Sequence, residues 1–207
     1  MMTGGYDEGY TACRCFWGQE PGSYVKRLIE MQPSLAGLKV LDLGCGEGKN
    51  AIHFARRGAR VTAIDISEQA LKNAKDMWPA AEYDNVAWAV KDVMLFDFDD
   101  GPYDVVIMYG LFHCLQDADA VLDMVRRVQA NTVKGGYNVL CAFNDRKHDL
   151  SAHAGFSPLL LQHEFYTSLY SYWELLMVSD DDLFEAHPHN NIPHFHSLTR
   201  AVARRPE

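Results

Sequence analysis

The sequence predicts an α/β fold with a doubly wound, mostly parallel sheet of seven strands, an antiparallel last strand pair and helices on both faces. Short runs of β-branched and apolar residues alternate with helical segments along the chain. The first run ends on an acid and opens through a glycine-rich loop into a helix, and a second strand ends on an acid 23 residues later. This order is typical of a Rossmann-like fold. We expect a single domain over residues 21–207, preceded by an arm or lid over residues 1–20.

The individual elements follow from local patterns. After Pro21 and Gly22, apolar spacing predicts an amphipathic helix over residues 23–31. Parallel strands are predicted at residues 40–43, 60–65, 86–90 and 103–108, and a fifth after the pair Gly135-Gly136. Further helices are predicted over residues 50–57 and 119–130. Segments near 175–178 and 197–203 are expected to form the antiparallel pair that closes the sheet edge.

The loop after the first strand predicts a ligand site. Gly44, Gly46 and Gly48 leave no side chains where a ligand must approach the backbone. A dinucleotide fingerprint requires a glycine where Lys49 stands. Asp42, two residues before the first glycine, favours a cationic or amine-bearing ligand instead of a pyrophosphate. S-adenosylmethionine, which carries a sulfonium and an α-amino group, meets this description.

Further cofactor contacts are predicted at the ends of the next strands. Asp65 ends the second strand, where its carboxylate can accept both ribose hydroxyls, and the alternative is a helix N-cap. Asp92 is predicted to accept from the adenine amino group, with the backbone N–H of Val93 beside the ring. Asp104 starts the fourth strand and is interpreted as structural. The predicted cofactor residues are Asp42, Gly44, Cys45, Gly46, Gly48, Asn50, Asp65, Ile66, Asp92, Val93 and Tyr109.

With these features in order, the chain resembles a class I S-adenosylmethionine-dependent methyltransferase over residues 20–205. Segments 134–140 and 172–174, and the late pattern from His187 to Arg204, look like the tellurite-resistance (TehB-like) branch. The resemblance implies methyl transfer to a small soft nucleophile or oxyanion such as tellurite, selenite or a thiol, with S-adenosylhomocysteine as product. A small-molecule O- or N-methyltransferase of secondary metabolism and a non-catalytic S-adenosylmethionine-binding module stay open as alternatives.

The acceptor is predicted to bind opposite the cofactor. His113 follows the fourth strand and is expected to deprotonate or orient a protic acceptor with a pKa near neutrality, or else to be a core histidine. The resemblance implies that His187 and Arg200 together hold an oxyanion. Phe16 and Trp17 are predicted either to fold over the cofactor or to anchor a surface helix. An aromatic acceptor wall is predicted from Tyr109, Phe112, Phe143 and Tyr166.

A histidine-rich segment near the C-terminus raises the question of a metal. His187, His189, His194 and His196 lie within ten residues. Their spacing matches no established tetrahedral pattern, and Pro188 restricts the loop. The sequence therefore favours a hairpin loop with polar rings, and a zinc or nickel site stays open as the alternative.

Charge and composition limit the partners. Nineteen basic and 28 acidic residues give a formal charge of −9, which disfavours nucleic acid and anionic membranes. There is no run of about 20 apolar residues that would span a membrane, and no secretory leader pattern. The five cysteines fit neither zinc spacing nor a secreted disulfide framework. We expect a cytoplasmic monomer or homodimer with a small-molecule methyl acceptor as its partner.

Overall fold

The computed structural model describes residues 6–153, 155–188 and 190–207. Seven strands form one sheet in the order β3-β2-β1-β4-β5-β7-β6. Strands β1 to β5 are parallel, and β7 runs antiparallel to β5 and β6. The strands are β1 Lys39–Leu43, β2 Arg60–Asp65, β3 Val86–Val90, β4 Tyr103–Tyr109, β5 Thr132–His148, β6 Glu174–Glu185 and β7 His194–Arg204. The predicted sheet is confirmed.

Helices cover both faces of the sheet. They are α1 Tyr6–Ala12, α2 Ser23–Met31, α3 Lys49–Ala55, α4 Glu68–Met77, α5 Ala118–Ala130 and α6 His163–Ser168. Neighbouring residues of β1 point to opposite faces, so Val40 packs with Leu28 and Ile52 in one core cluster, whereas Leu41 packs with Val125 in the other. None of the helices in the described part of the chain has the length and hydrophobicity of a membrane-spanning segment.

The last hairpin and β5 are longer than the sequence patterns predict. Strand β6 includes Asp180 and Asp182, which disfavour a strand assignment from propensity alone. In the structure these carboxylates both pair with Arg146 of β5, with N–O distances of 2.7 Å. Strand β5 already starts at Thr132, and its register against β4 shifts before Tyr137. A tertiary ion pair across the sheet therefore extends the hairpin beyond its apolar run.

The loop between β1 and α3 has left-handed backbone at each of its three glycines. The φ angles of Gly44, Gly46 and Gly48 are 69°, 53° and 78°. A Cβ on Gly48 would lie 2.2 Å from the Trp88 ring, and one on Gly46 would lie 2.8 Å from the Tyr10 hydroxyl. Both conformation and close packing therefore require glycine at positions 46 and 48.

We expect Gly48→Ala to destabilise the fold by roughly 2–5 kcal/mol, because about 1–2 kcal/mol for the left-handed backbone adds to about 1–3 kcal/mol for the collision with Trp88. Gly37→Ala is the matched control, since Gly37 has φ 80° but open space around its Cβ position. Urea unfolding of both variants measures the difference. Equal losses of stability would contradict the close packing of Gly48 against Trp88.

Candidate active site

A cavity opens at the carboxyl ends of β1, β2 and β4, beneath the N-terminal segment. Strand order reverses between β1 and β4, and ligands of open α/β sheets bind at this point. The structure brings most of the predicted cofactor residues to this cavity. Those that line it are Gly44, Cys45, Gly46, Asn50, Asp65, Ile66, Val93 and Tyr109.

Asp65 connects the glycine loop to the end of β2. Its carboxylate accepts hydrogen bonds from the backbone N–H of Gly46 at 2.8 Å and of Ser67 at 2.9 Å. Burial raises the pKa of Asp65. The N-cap of α4 is Ser67, whose hydroxyl accepts from the Ala70 N–H. Asp65 is thus not the cap, and its oxygens keep lone pairs that face the cavity.

Asp42 lies behind the glycine loop. Its side chain is 1% exposed and accepts a hydrogen bond from the Ala51 N–H at 3.1 Å, near the start of α3. Burial raises the pKa of Asp42 to about 7. Asp42 and Gly48 do not line the cavity, so the structure places both as supports of the loop. The difference arises because the Asp42 side chain follows the strand into the interior, where a backbone N–H at the start of α3 is its hydrogen-bond donor.

Of the two residues predicted to contact adenine, one lines the cavity and the other supports it. Val93 lines the cavity, whereas Asp92 does not. The Asp92 carboxylate accepts from the Met94 N–H at 2.8 Å and caps the short 3₁₀ turn Val93–Leu95. This bond fixes the turn that presents Val93 to the cavity.

Glu47, which sequence reasoning missed, holds the N-terminal segment against the glycine loop. Its buried carboxylate accepts from the backbone N–H of Cys15 at 2.9 Å and of Phe16 at 2.6 Å, and from the Asn73 amide at 2.9 Å. Lys49 adds a hydrogen bond from its ammonium to the Trp17 carbonyl at 3.0 Å. An acid inside a glycine loop was the available indication, but its partners are 31 and 32 residues earlier in the chain.

The N-terminal segment contributes aromatic rings to the cavity. Tyr6, Tyr10 and Trp17 line it, and the Trp17 indole donates to the Tyr10 hydroxyl at 3.1 Å. Phe16 does not line the cavity and stacks on His187, with ring centroids 4.7 Å apart. The two predicted lid residues therefore differ in role, since Trp17 lines the cavity, whereas Phe16 packs the N-terminal segment against His187.

His113 also lines the cavity. Its ring stacks on Phe143 at 4.0 Å, and its Nε2 lies 3.2 Å from the Tyr6 hydroxyl. Burial and the neighbouring His148 and His153 lower the pKa of His113 to about 3. The expected pKa near neutrality is therefore wrong, because the sequence pattern did not show how deeply the ring is enclosed. A neutral His113 can orient an acceptor but is a weak base at pH 7.

The predicted oxyanion pair and half of the aromatic wall are not at the cavity surface. Arg200 pairs with Asp181 on β6, and His187 packs against Phe16. Phe112 and Tyr166 are fully buried and stack on each other in the core. The cavity is completed by residues at or after the end of β4 and on β5, β6 and β7, namely Tyr109, Leu111, Cys114, Cys141, Phe143, Leu183, Glu185 and Leu198.

Comparison with known proteins agrees with this geometry. Residues 40–135 match the family described as a methyltransferase domain. The chain is 33% identical over 147 residues to hemagglutinin 1 of Eikenella corrodens, an alignment that spans 71% of this chain and 47% of the relative. It is 25% identical over 154 residues to the probable S-adenosyl-L-methionine-dependent methyltransferase TehB of Haemophilus influenzae (strain 10810), spanning 74% of this chain and 52% of TehB.

The fold is also that of a solved TehB. The crystal structure of TehB from Haemophilus influenzae has a TM-score of 0.73 and 20% identity, covering 89% of this chain and 62% of that one. The chain spans about half the length of the curated relatives it matches. Together with the glycine loop and Asp65, these findings show that residues 40–135 match a methyltransferase domain and that the chain resembles class I S-adenosylmethionine-dependent methyltransferases such as TehB.

Proposed function

We propose that this protein transfers the methyl group of S-adenosylmethionine to a small acceptor held beside Tyr109, Phe143 and His113. The observation that carries the proposal is a single cavity lined both by the glycine loop with Asp65 and by Tyr109, His113 and Phe143. The glycine loop and the Asp65 carboxylate suit a cationic nucleoside. The remaining lining, which includes Leu183, Glu185 and Leu198, is left for a small molecule.

The residues present fit this cofactor. A Cβ on Gly44 would lie 3.0 Å from the Leu111 side chain, and one on Gly46 would lie 2.8 Å from the Tyr10 hydroxyl. Larger residues at these positions would therefore narrow the cavity at the glycine loop. Asp65 is the proposed acceptor for the ribose hydroxyls, and Val93 the proposed contact for adenine. When bound, S-adenosylmethionine supplies an electrophilic methyl carbon whose bond to sulfur breaks as the bond to the acceptor forms.

The protein's own contribution is to position the reactants and to exclude water. Tyr6, Tyr10 and Trp17 line the cavity, which supports the lid rather than the arm predicted for residues 1–20, of which 1–5 lie outside the described residues. Holding two reactants at near-attack distance supplies roughly 7–11 kcal/mol in favourable cases. Exclusion of water removes the hydration shell of the incoming nucleophile.

The lining favours a soft acceptor such as a thiol over an oxyanion. His187 and Arg200, the residues that would hold tellurite or selenite, do not line the cavity. With its pKa lowered to about 3, His113 is a poor base for a hydroxyl group. A thiol needs less help, since its pKa of about 8.5 leaves a few per cent as thiolate at pH 7. Leu183 and Leu198 offer apolar contacts to the polarizable sulfur and carbon atoms of a thiol.

An acceptor screen separates the remaining alternatives. Small thiols, selenite, tellurite and phenolic or amine acceptors are each incubated with S-adenosylmethionine, and S-adenosylhomocysteine is measured. Product that forms fastest with a thiol supports the proposal, whereas preference for a phenol or amine supports an O- or N-methyltransferase. Cofactor binding without product from any acceptor supports a non-catalytic module. The cytoplasmic location and the monomeric or homodimeric state stay predictions.

Asp65→Ala is expected to weaken S-adenosylmethionine binding about 10- to 150-fold, since a hydrogen bond to a charged group contributes about 1.5–3 kcal/mol. Calorimetric titration measures the affinity. Asp104→Ala is the matched control, because Asp104 also accepts a backbone N–H, that of Lys39, but lies at the amino end of β4. Unchanged affinity in a folded Asp65→Ala protein would contradict the assigned ribose contact.

Glu47→Gln is expected to loosen the lid, because one carboxylate oxygen is replaced by an amide that cannot accept from Cys15 or Phe16. Loss of one charged hydrogen bond of about 1.5–3 kcal/mol predicts roughly tenfold or greater acceleration of amide hydrogen exchange at those residues. Exchange followed by mass spectrometry measures it, with the variant Glu68→Gln at the start of α4 as control. Equal exchange in both variants would show that Glu47 does not hold the lid.

A further inference from the structure

Histidines cluster around the start of β7, and His153, His194 and His196 each bring one ring nitrogen within 4.8 Å of the other two. We propose that these three histidines bind one divalent transition-metal ion, with zinc as the ion to test. The sequence favours a hairpin loop over a metal site, because the spacing within 187–196 matches no tetrahedral pattern, whereas His153 reaches the cluster from the segment that follows β5. His189 lies outside the described residues and is not used.

The distances from His153 to the other two histidines of the set match those around a metal. Its Nε2 atom lies 3.2 Å from that of His194 and 3.2 Å from that of His196, and Nε2 of His187 lies 3.3 Å away as a neighbour outside the proposed set. Ligands at a Zn–N distance of about 2.0–2.1 Å in a tetrahedron are separated by about 3.3–3.4 Å. One ion can therefore bind His153, His194 and His196, with the fourth position open to water or another ligand.

The outer hydrogen bonds determine which nitrogens face the cluster as acceptors. His194 donates from Nδ1 to the Ile192 carbonyl at 2.8 Å, so its Nε2 carries a lone pair. His148 donates from Nε2 to the Asn144 carbonyl at 2.5 Å. Its Nδ1 must then accept from Nδ1 of His196 at 3.3 Å, which leaves a lone pair on Nε2 of His196 as well.

Hydrogen bonds alone cannot satisfy this arrangement. A ring nitrogen carries either one hydrogen or one lone pair, so Nε2 of His153 can make one well-directed bond, yet it has three ring nitrogens within 3.3 Å. His187, His194 and His196 are each less than 5% exposed, so water has little access to their rings. A central cation accepts the lone pairs of His153, His194 and His196 at once, and the outer bonds of His194 and His196 are of the kind that orient metal ligands.

The ligand set indicates the chemical class of the ion. Imidazole nitrogens suit zinc, copper, nickel and iron, whereas magnesium and calcium prefer oxygen. Glu185 adds a carboxylate oxygen 3.7 Å from Nε2 of His194, and this negative charge favours a cation. Glu185 also lines the cavity, and His187 stacks on Phe16 of the lid. The ion would thus lie beside the cavity, and its binding would not depend on methyl transfer.

The test uses full-length protein without an affinity tag, stripped with EDTA and returned to metal-free buffer. Calorimetry with zinc chloride, and metal analysis after gel filtration, are expected to show one tightly held zinc per chain. The double variant His194→Ala/His196→Ala is expected to bind zinc at least 100-fold more weakly. His53→Ala is the control and is expected to match the wild type, since His53 lies on α3 and contacts Gln19 instead of the cluster.

A wild-type chain that retains no zinc, or a double variant that retains as much as the wild type, would overturn the proposal. Cobalt(II) bound to the wild-type protein gives an independent result, because tetrahedral nitrogen coordination absorbs visible light strongly and octahedral hydrated cobalt does so weakly. Weak absorption would reject the three-histidine site without any variant. S-adenosylmethionine binding, measured in parallel, reports separately on the proposed function.

Discussion

The site depends on the two backbone hydrogen bonds accepted by Asp65. They connect the glycine loop that follows β1 with the turn that starts α4, so one carboxylate sets the relative position of both segments. The same loop carries Glu47, which binds the lid, and Asn50, whose side chain accepts from the Gly22 N–H at 2.8 Å. A single turn therefore organises the proposed cofactor site, the N-terminal segment and the start of α2. This turn requires that Gly46 and Gly48 have no side chains.

The parts of the fold predicted from sequence are those in which local pattern and tertiary environment agree. The strands that end at Leu43 and Asp65 are largely buried parallel strands rich in apolar and β-branched residues, and such segments can be recognised without knowledge of their neighbours. The edge hairpin was underestimated because Asp180 and Asp182 are stabilised there by Arg146, a partner distant in sequence.

The sequence predicts the site residues whose position follows from the backbone. It misses those whose orientation or pKa depends on burial. Gly44, Gly46 and Asp65 follow from spacing, and all three line the cavity. The direction of the Asp42 side chain and the low pKa of His113 depend on which groups pack around them, and no local pattern records this. The same is true of the histidine cluster, because spacing rules describe ligands from one segment and His153 comes from another.

Phe143 has a particular consequence for the choice of acceptor. His113 stacks on it at 4.0 Å and His196 at 4.2 Å, and two rings this close must occupy opposite faces. Only the edge of the phenyl ring is then free to contact a bound molecule, and the stacked imidazoles restrict rotation of the ring. We therefore expect the cavity to select acceptors by shape, so that bulky molecules are excluded regardless of their reactivity.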